Sequence, residues 1–281
     1  MTTKGILIFA KNNQQFNYIK QAEVAAVMAK FYLGKPVSLI TLQEEYKDYR
    51  TKEFVDSDIW DKVIYLDNVH IQENTRAVYI DNKAEKNTWY NLDRLLAYDL
   101  SPYDETILID GDYLIQNGRL NEVWENVEPM LMNVDSRLPA KQQEHIYEKV
   151  ITDGYQPVHW FTVCYFRKCK EAQEWFTIAK HIKEHYNFYS TTYNSPYRFY
   201  RNDITASIAS HIMNGYKDGY IKSLPIRQVN SYHPESILDI QLDNITLNTS
   251  DGPVRLRQTN VHLLNKIEIE DHYDRFMEIY G

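Results

Sequence analysis

The sequence lacks the features that would place it in several common classes of protein. It has only two cysteines among 281 residues, so neither a disulfide scaffold nor a CxxC metal site is expected. No apolar run is long enough to span a membrane, and no cleavage signal follows the N-terminal residues. The first strand-like segment carries no GxGxxG, which leaves a classical dinucleotide-binding turn unsupported. Together these absences predict a cytoplasmic protein with no membrane span.

Basic residues are in the minority, with 31 Lys and Arg against 39 Asp and Glu and a net charge of -8. This balance argues against a surface that coats nucleic acid or an anionic bilayer, although a local basic groove remains possible. Tyrosine, by contrast, is abundant, with 23 copies. Because the tyrosines are spread along the whole chain, they favour half-buried packing over an aromatic wall for a sugar or base.

The first half of the chain alternates between strand-like and helix-like segments. Short apolar runs predict strands, and apolar residues at helical spacing predict helices. This rhythm predicts an α/β fold whose parallel strands are joined by right-handed crossovers. The predicted order is strand 6–10, helix 18–33, strand 36–41, strand 63–66, helix 89–100 and strand 106–109.

The second half is less regular. With 43% hydrophobic residues the chain can bury a substantial core, and no repeat or clear linker divides it. We therefore treat residues 1–281 as one domain. The predicted order is helix 120–132, loop and short helix 133–157, strand 158–167, helix 172–186, aromatic loop 187–201, helix 203–214, and short strands with turns beyond residue 225.

The triplet Asp110-Gly111-Asp112 is the most informative motif. It follows the apolar run 106–109, and ligands of open α/β sheets bind where such strands end. Two carboxylates separated by a glycine can hold a hard divalent cation such as Mn²⁺ or Mg²⁺, which often bridges protein to a substrate phosphate. A tight Asp-Gly hairpin turn is the simple alternative, but a solvated hairpin strand should alternate in polarity. The spacing of an EF-hand is absent, and the haloacid dehalogenase-like signature fits only in part.

The run from Thr106 to Ile115 resembles the DxD strand of GT-A-type glycosyltransferases of the glycogenin-like group. The resemblance covers about residues 4–215 and looks closest to phage-encoded members. It implies a mixed, mainly parallel sheet flanked by helices. A Rossmann-like half, 1–115, would bind the nucleotide sugar, and 116–281 would form the acceptor half with a C-terminal extension. For a phage protein, the setting would be the host cytoplasm.

The resemblance also implies roles for residues near the motif. Asp110 and Asp112 would hold the metal on the diphosphate, with Asp110 and Gly111 also close to the donor. Arg94 lies at the spacing of a basic donor-binding residue, although it could be a solvated helix charge. The end of the first strand would contact base and ribose through Phe9, Ala10, Lys11 and Asn12, with Asn13 as a further candidate.

Each of four later residues has a structural alternative to a functional role. Asp203 opens a predicted helix, where it could serve as the catalytic base, as a helix cap, or as both. His233 could be a third metal ligand, because glycogenin-like enzymes use a late histidine, although the Gly and Lys that follow it in the family are missing here. Arg255 and Arg257 share one face of a predicted strand and could either bind a diphosphate or face water.

The function implied is transfer of a sugar from a UDP- or GDP-sugar to an unknown acceptor hydroxyl. A catalytically silent nucleotide-binding protein of the same fold is one alternative. A nucleotidyltransferase is another, although the segment 11–15 is not the glycine-rich basic loop that it would need. An inverting enzyme would require a carboxylate base, for which Asp203 is the candidate, whereas a retaining one would not.

Overall fold

A computed structural model describes most of the chain. It covers residues 2–13, 15–52, 59–67, 71–80, 83–134, 136–140, 157–195, 199–217 and 221–281, with the backbone alone for 71–80 and 83–91. The predicted loop and short helix at 133–157 therefore lie largely outside the described residues. No helix within these ranges combines the length and the apolar character needed to cross a membrane.

Strands and helices follow one another along the described chain. The strands are β1 (Lys4–Phe9), β2 (Val37–Leu42), β3 (Lys62–Leu66), β4 (Ile71–Ile80), β5 (Lys83–Leu92), β6 (Glu105–Asp110), β7 (Tyr113–Leu114), β8 (Met130–Asn133), β9 (Ser136–Arg137), β10 (Trp160–Arg167), β11 (Gln228–Ser231), β12 (Ser236–Gln241), β13 (Asn244–Thr249), β14 (Gly252–Arg257) and β15 (Val261–Leu263). The helices are α1 (Tyr18–Leu33), α2 (Gln43–Lys52), α3 (Ala97–Leu100), α4 (Lys170–Glu184), α5 (Tyr186–Thr192), α6 (Asn202–Met213), α7 (Ile267–Asp271) and α8 (Tyr273–Tyr280).

The central sheet has six strands in the order β3-β2-β1-β6-β10-β8. The first four are parallel, while β10 is antiparallel to both β6 and β8. Apolar side chains of β1 and β6 are buried on both faces, as expected for central strands covered by helices. The predicted mixed, mainly parallel sheet flanked by helices is confirmed. In the β1–β6 register, Phe9 lies directly beside Asp110.

A second, smaller sheet has the strand order β7-β15-β11-β9. Strand β7 begins immediately after Asp112, and β15 pairs with it antiparallel, so that His262 lies opposite Tyr113. Strand β11 pairs with β15 in parallel. The small sheet therefore brings residues near 262 against the end of β6, about 150 residues earlier in the chain.

Three sequence predictions of local structure were wrong. The helix predicted over 89–100 is strand β5 up to Leu92, followed by a 3-10 turn from Arg94 to Leu96 and by α3. Helical structure begins only where the side chain of Asp93 accepts a hydrogen bond from the backbone N–H of Leu95. The region 120–132 is a 3-10 helix, Arg119–Glu125, and then β8. Residues 186–192, expected to be mostly loop, form α5.

The C-terminal helices are fastened to α1 by buried polar contacts. Glu23 lies inside α1 and is fully buried, and its Oε2 accepts hydrogen bonds from the hydroxyls of Tyr49 and Tyr273, each at 2.6 Å. Glu270 of α7 accepts from the backbone N–H of Asn17 at 2.9 Å and from the side chain of Gln21 at 2.6 Å. These bonds hold α7 and α8 against the N-terminal half of the protein.

We expect Gly5→Ala to destabilise the fold. A Cβ at Gly5 would lie 2.3 Å from the ring of Tyr103, whose hydroxyl is fixed to Ser38 Oγ at 2.6 Å. Overpacking of this kind costs about 1–3 kcal/mol, measurable as a lower urea midpoint. The double variant Gly5→Ala/Tyr103→Leu should lose less than the sum of the single variants, and strict additivity would contradict this packing.

Candidate functional site

Strand β6 delivers two carboxylates to the carboxyl edge of the central sheet. Asp110 is its last residue, and Asp112 follows two residues later with only 4% of its side chain exposed. The backbone carbonyl of Asp112 accepts a hydrogen bond from the N–H of Leu263 at 2.9 Å, which fixes the segment to β15. A Cβ at Gly111 would lie 3.4 Å from Ala22 of α1, and Gly111 does not have a positive φ. A Cβ there would make only an ordinary van der Waals contact, so neither close packing nor a sharp bend requires glycine at this position.

His262 of β15 completes a group with the two aspartates. Its Nε2 lies 3.2 Å from Asp112 Oδ1 and 3.8 Å from Asp110 Oδ2. One ligand atom from each of the three residues lies within 4.8 Å of the others. Two carboxylate oxygens and one imidazole nitrogen are a donor set that suits Mn²⁺ and is compatible with Mg²⁺. The residues present therefore fit the divalent cation expected from the sequence.

The other nitrogen of His262 is held by a buried polar network. Nδ1 lies 3.2 Å from Asn230 Oδ1, which also accepts from Gln228 Nε2 at 3.0 Å. Asn230 Nδ2 in turn donates to Ser136 Oγ at 2.6 Å. Because Asn230 presents its carbonyl oxygen, Nδ1 of His262 carries the proton and donates it, and Nε2 faces the aspartates. Such an outer partner orients an imidazole for metal binding.

Two cations flank the group. Lys266 Nζ forms a close ion pair with Asp112 Oδ2, and lies 5.1 Å from the centroid of the Tyr18 ring. Arg94, which is 8% exposed, places Nη1 2.5 Å from Asp110 Oδ1 and stacks its guanidinium 5.1 Å from the Phe161 ring centroid. Arg94, for which the sequence leaves open a donor-binding role or a solvated helix charge, is thus directed into the site, where it neutralises one of the two carboxylates.

The electrostatic environment shifts the pKa values of the two aspartates in opposite directions. Burial raises the pKa of Asp110, and the nearby Arg94 only partly opposes this. Burial would also raise the pKa of Asp112, but Lys266 and then His262 outweigh it and lower that pKa far below its usual value. For His262, burial lowers the pKa, whereas the charge of Asp112 overcomes this and raises it. Asp112 is therefore the more strongly charged ligand of the pair.

The predicted donor-binding residues lie at the end of β1 and immediately after it. Phe9 lies beside Asp110 in the sheet, and the N–H of Ala10 donates to the carbonyl of Ile40 at 3.0 Å. Lys11 Nζ lies 3.1 Å from Glu45 Oε1, so its charge is already paired. Asn12 Oδ1 accepts from the N–H of Ile19 at 2.9 Å and so ties the loop to the start of α1.

Asp203 lies in the first turn of α6, beside β10. Its Oδ1 accepts a hydrogen bond from the backbone N–H of Phe161 at 2.9 Å, and its Oδ2 lies 3.3 Å from Arg201 Nη2. Arg201 is the residue at the N-cap position, so Asp203 is not the cap itself. Its carboxylate joins α6 to β10, and the catalytic role remains a prediction.

His233 does not join the acidic residues. It is exposed in the turn after β11, and among the described residues the groups able to hold a metal do not include it. His262 occupies the position expected of the late histidine. One signal could have identified it in the sequence, since a basic residue, Lys266, follows His262 four positions later.

A second group of possible metal ligands lies on the surface. His181, Glu184 and His185 are exposed near the end of α4. Their rings and carboxylate sit on one helix side, as residues three and four apart do. This group matters for experiments, because added metal could bind there as well as at Asp112.

Comparison with known proteins gave only distant structural likenesses. No protein-family model matches the chain, and no curated protein sequence is similar to it. Among solved structures, the glycosyltransferase GlyE of Streptococcus pneumoniae TIGR4 is 14% identical over 80% of this chain, with a TM-score of 0.41, and this chain spans only 46% of GlyE. The galactosyltransferase LgtC, solved with donor and acceptor sugar analogues, is 12% identical over 73% of this chain and 70% of its own, with a TM-score of 0.44. Mouse xyloside xylosyltransferase 1 is 12% identical over 83% and 89%, with a TM-score of 0.46. All three are glycosyltransferases, but likenesses this distant assign no function to the chain.

Proposed function

We propose that this protein is a metal-dependent glycosyltransferase that uses a nucleoside diphosphate sugar as its donor. The observation that carries the proposal is the convergence of Asp110, Asp112 and His262 at the carboxyl edge of the central sheet, where ligands of α/β sheets bind. The burial of Asp112 and His262 and the mixed oxygen and nitrogen donors of the group suit a divalent cation. In this proposal residues 1–115 bind the donor, and 116–281 bind the acceptor and supply His262.

The residues around the group have complementary tasks. Asp110, Asp112 and His262 would hold Mn²⁺ or Mg²⁺, which when bound supplies a Lewis acid against the negative charge of the leaving diphosphate. Lys266 and Arg94 add fixed positive charge beside the same carboxylates, and such preorganised charge stabilises a leaving anion. Asn230 keeps His262 in the orientation that presents Nε2.

The acceptor side of the reaction is less defined by geometry. For Asp203 to act as base, its Oδ2 would release the contact with Arg201 and take a proton from the acceptor hydroxyl, while Oδ1 keeps its bond to Phe161. This arrangement would suit an inverting reaction. We keep Asp203 as the proposed base on that ground.

A nucleotide panel tests the proposal most directly. We expect UDP or GDP to raise the melting temperature only when Mn²⁺ is present, and EDTA to remove the rise, because a ligand that binds only the folded state stabilises it. The measurement should use His181→Gln protein, so that the exposed group on α4 cannot account for a metal effect. Donor hydrolysis in the same samples reports turnover. Absence of any Mn²⁺-dependent rise with every nucleotide would refute the proposal.

One observation favours a second candidate, a catalytically silent nucleotide-binding protein of the same fold. The ammonium of Lys266 already neutralises Asp112, so a nucleotide could bind without a metal. This candidate predicts a thermal shift that is unchanged by EDTA, together with no hydrolysis of any donor. The two readouts of the panel therefore separate the candidates.

A further inference from the structure

A cavity of about 590 Å³ lies beside the small sheet, and arginine is its most frequent lining residue. None of the described residues that line it is Asp or Glu. Such a concentration of one sign of charge attracts anions, even though the whole chain has a net charge of -8. We call it the arginine cavity; its arginines are Arg119, Arg137, Arg227, Arg255 and Arg257.

Two of these arginines, Arg227 and Arg257, have side chains that make no polar contact with the described residues. Both are exposed. Arg255 is held by Asn244, whose Oδ1 accepts from its Nε at 3.1 Å. Arg255 and Arg257 project from the same face of β14, because the intervening Leu256 is buried. The side chains of Arg255 and Arg257 therefore face a ligand from the same side of β14.

The arginine cavity is connected to the metal-binding group through two strands. Asn117 and Asn260 line it, and Asn260 Oδ1 accepts from the N–H of Gln116 at 2.8 Å. Asn117 follows Asp112 by five residues, so the two are at most about 18 Å apart, and Asn260 is at most about 7 Å from His262. The arginine cavity therefore adjoins the same two stretches of chain that carry Asp112 and His262.

The chemistry of the lining identifies a class of ligand. The planar N–H donors of a guanidinium group match the oxygens of a phosphate, and several guanidinium groups together suit a multiply charged anion. A volume of about 590 Å³ falls within the range of small-molecule sites, about 300–1,000 Å³. A long nucleic acid would be repelled by the net negative charge. We propose that the arginine cavity binds the phosphate-bearing part of the acceptor. Its acceptor role rests on the proposed function, whereas its affinity for phosphate does not.

The test measures phosphate binding to the full chain by calorimetry, in EDTA, so that the metal-binding group cannot contribute through a cation. The probes are inorganic tripolyphosphate, for free phosphate, and glucose 6-phosphate, for a phosphorylated sugar. We expect Arg227→Gln/Arg257→Gln to weaken both by at least tenfold, and added salt to weaken both in the unsubstituted protein. The control Lys170→Gln/Arg275→Gln removes the same charge from surface ion pairs elsewhere and should bind as the unsubstituted protein does.

Each outcome decides one part of the proposal. Equal affinity in the cavity variant, or equal loss in the control variant, overturns the cavity as a binding site. Binding of tripolyphosphate without glucose 6-phosphate overturns its acceptor role. The cavity variant should retain Mn²⁺-dependent nucleotide binding. If nucleotide binding is absent from the unsubstituted protein while the arginines still bind both probes, the glycosyltransferase proposal fails and the phosphate site stands.

Discussion

Asp112→Asn should abolish Mn²⁺-dependent nucleotide binding and sugar transfer. The substitution keeps the side-chain volume but removes the charge of the most buried ligand, whose Oδ1 faces His262 and whose Oδ2 faces Lys266. Loss of one electrostatic contributor to a transition state commonly costs about 10²–10³ in kcat. Loss of the metal itself should exceed this, so we expect at least about a thousandfold reduction in donor turnover and no thermal shift with Mn²⁺ and nucleotide.

The matched control is Asp99→Asn. Asp99 also pairs with a lysine, Lys180, but at the surface, with 55% of its side chain exposed. Exposed pairs contribute about 0–1 kcal/mol, so this variant should keep both activity and metal response. Circular dichroism of both variants shows whether the fold persists. Retention of Mn²⁺-dependent turnover in folded Asp112→Asn protein would rule out the metal site.

Lys266→Met should destabilise the metal-free protein strongly and make its stability depend on metal. The ammonium of Lys266 is the closest positive charge to Asp112, whose side chain is only 4% exposed. Removing one partner of a buried ion pair costs about 3–5 kcal/mol, because the remaining charge is left uncompensated. A bound divalent cation would restore that compensation, so Mn²⁺ should raise the melting temperature more in the variant than in the unsubstituted protein.

Lys180→Met provides the comparison, since it breaks an exposed lysine–aspartate pair and should cost at most about 1 kcal/mol. Urea titrations with EDTA and with Mn²⁺ measure both effects. We also expect Lys266→Met to bind nucleoside diphosphate more weakly, as one phosphate-binding charge is lost. An Mn²⁺ effect no larger in the variant than in the unsubstituted protein would show that lysine and metal do not share Asp112.

The parts of the fold that could be predicted are those with strong local patterns. The helix predicted over 18–33 has those bounds in the structure, because its apolar spacing is regular and Gly34 ends it in a left-handed conformation. The apolar run before Asp110 correctly identified a buried central strand. By contrast, Leu92, Leu95, Leu96 and Leu100 recur at helical spacing, yet the chain up to Leu92 pairs with β4 as a strand.

The sequence alone could identify the two aspartates of the candidate site but not its histidine. Asp110 and Asp112 stand together in the sequence, so their proximity needed no tertiary information. His262 reaches them through a three-residue strand whose pairing is set by contacts across about 150 residues, and short strands carry little periodic signal. His233 is expected as a ligand because the family resemblance implies a late histidine, and the structure leaves it exposed after β11.

The buried bonds from α1 to α7 and α8 have a consequence for biosynthesis. Glu23 and Gln21 are synthesised some 250 residues before their partners Tyr273 and Glu270. Until then the carboxylate of Glu23 has only one of its two hydroxyl donors, that of Tyr49. The contacts of α1 with α7 and α8 therefore form only after the strand that carries His262 has been synthesised.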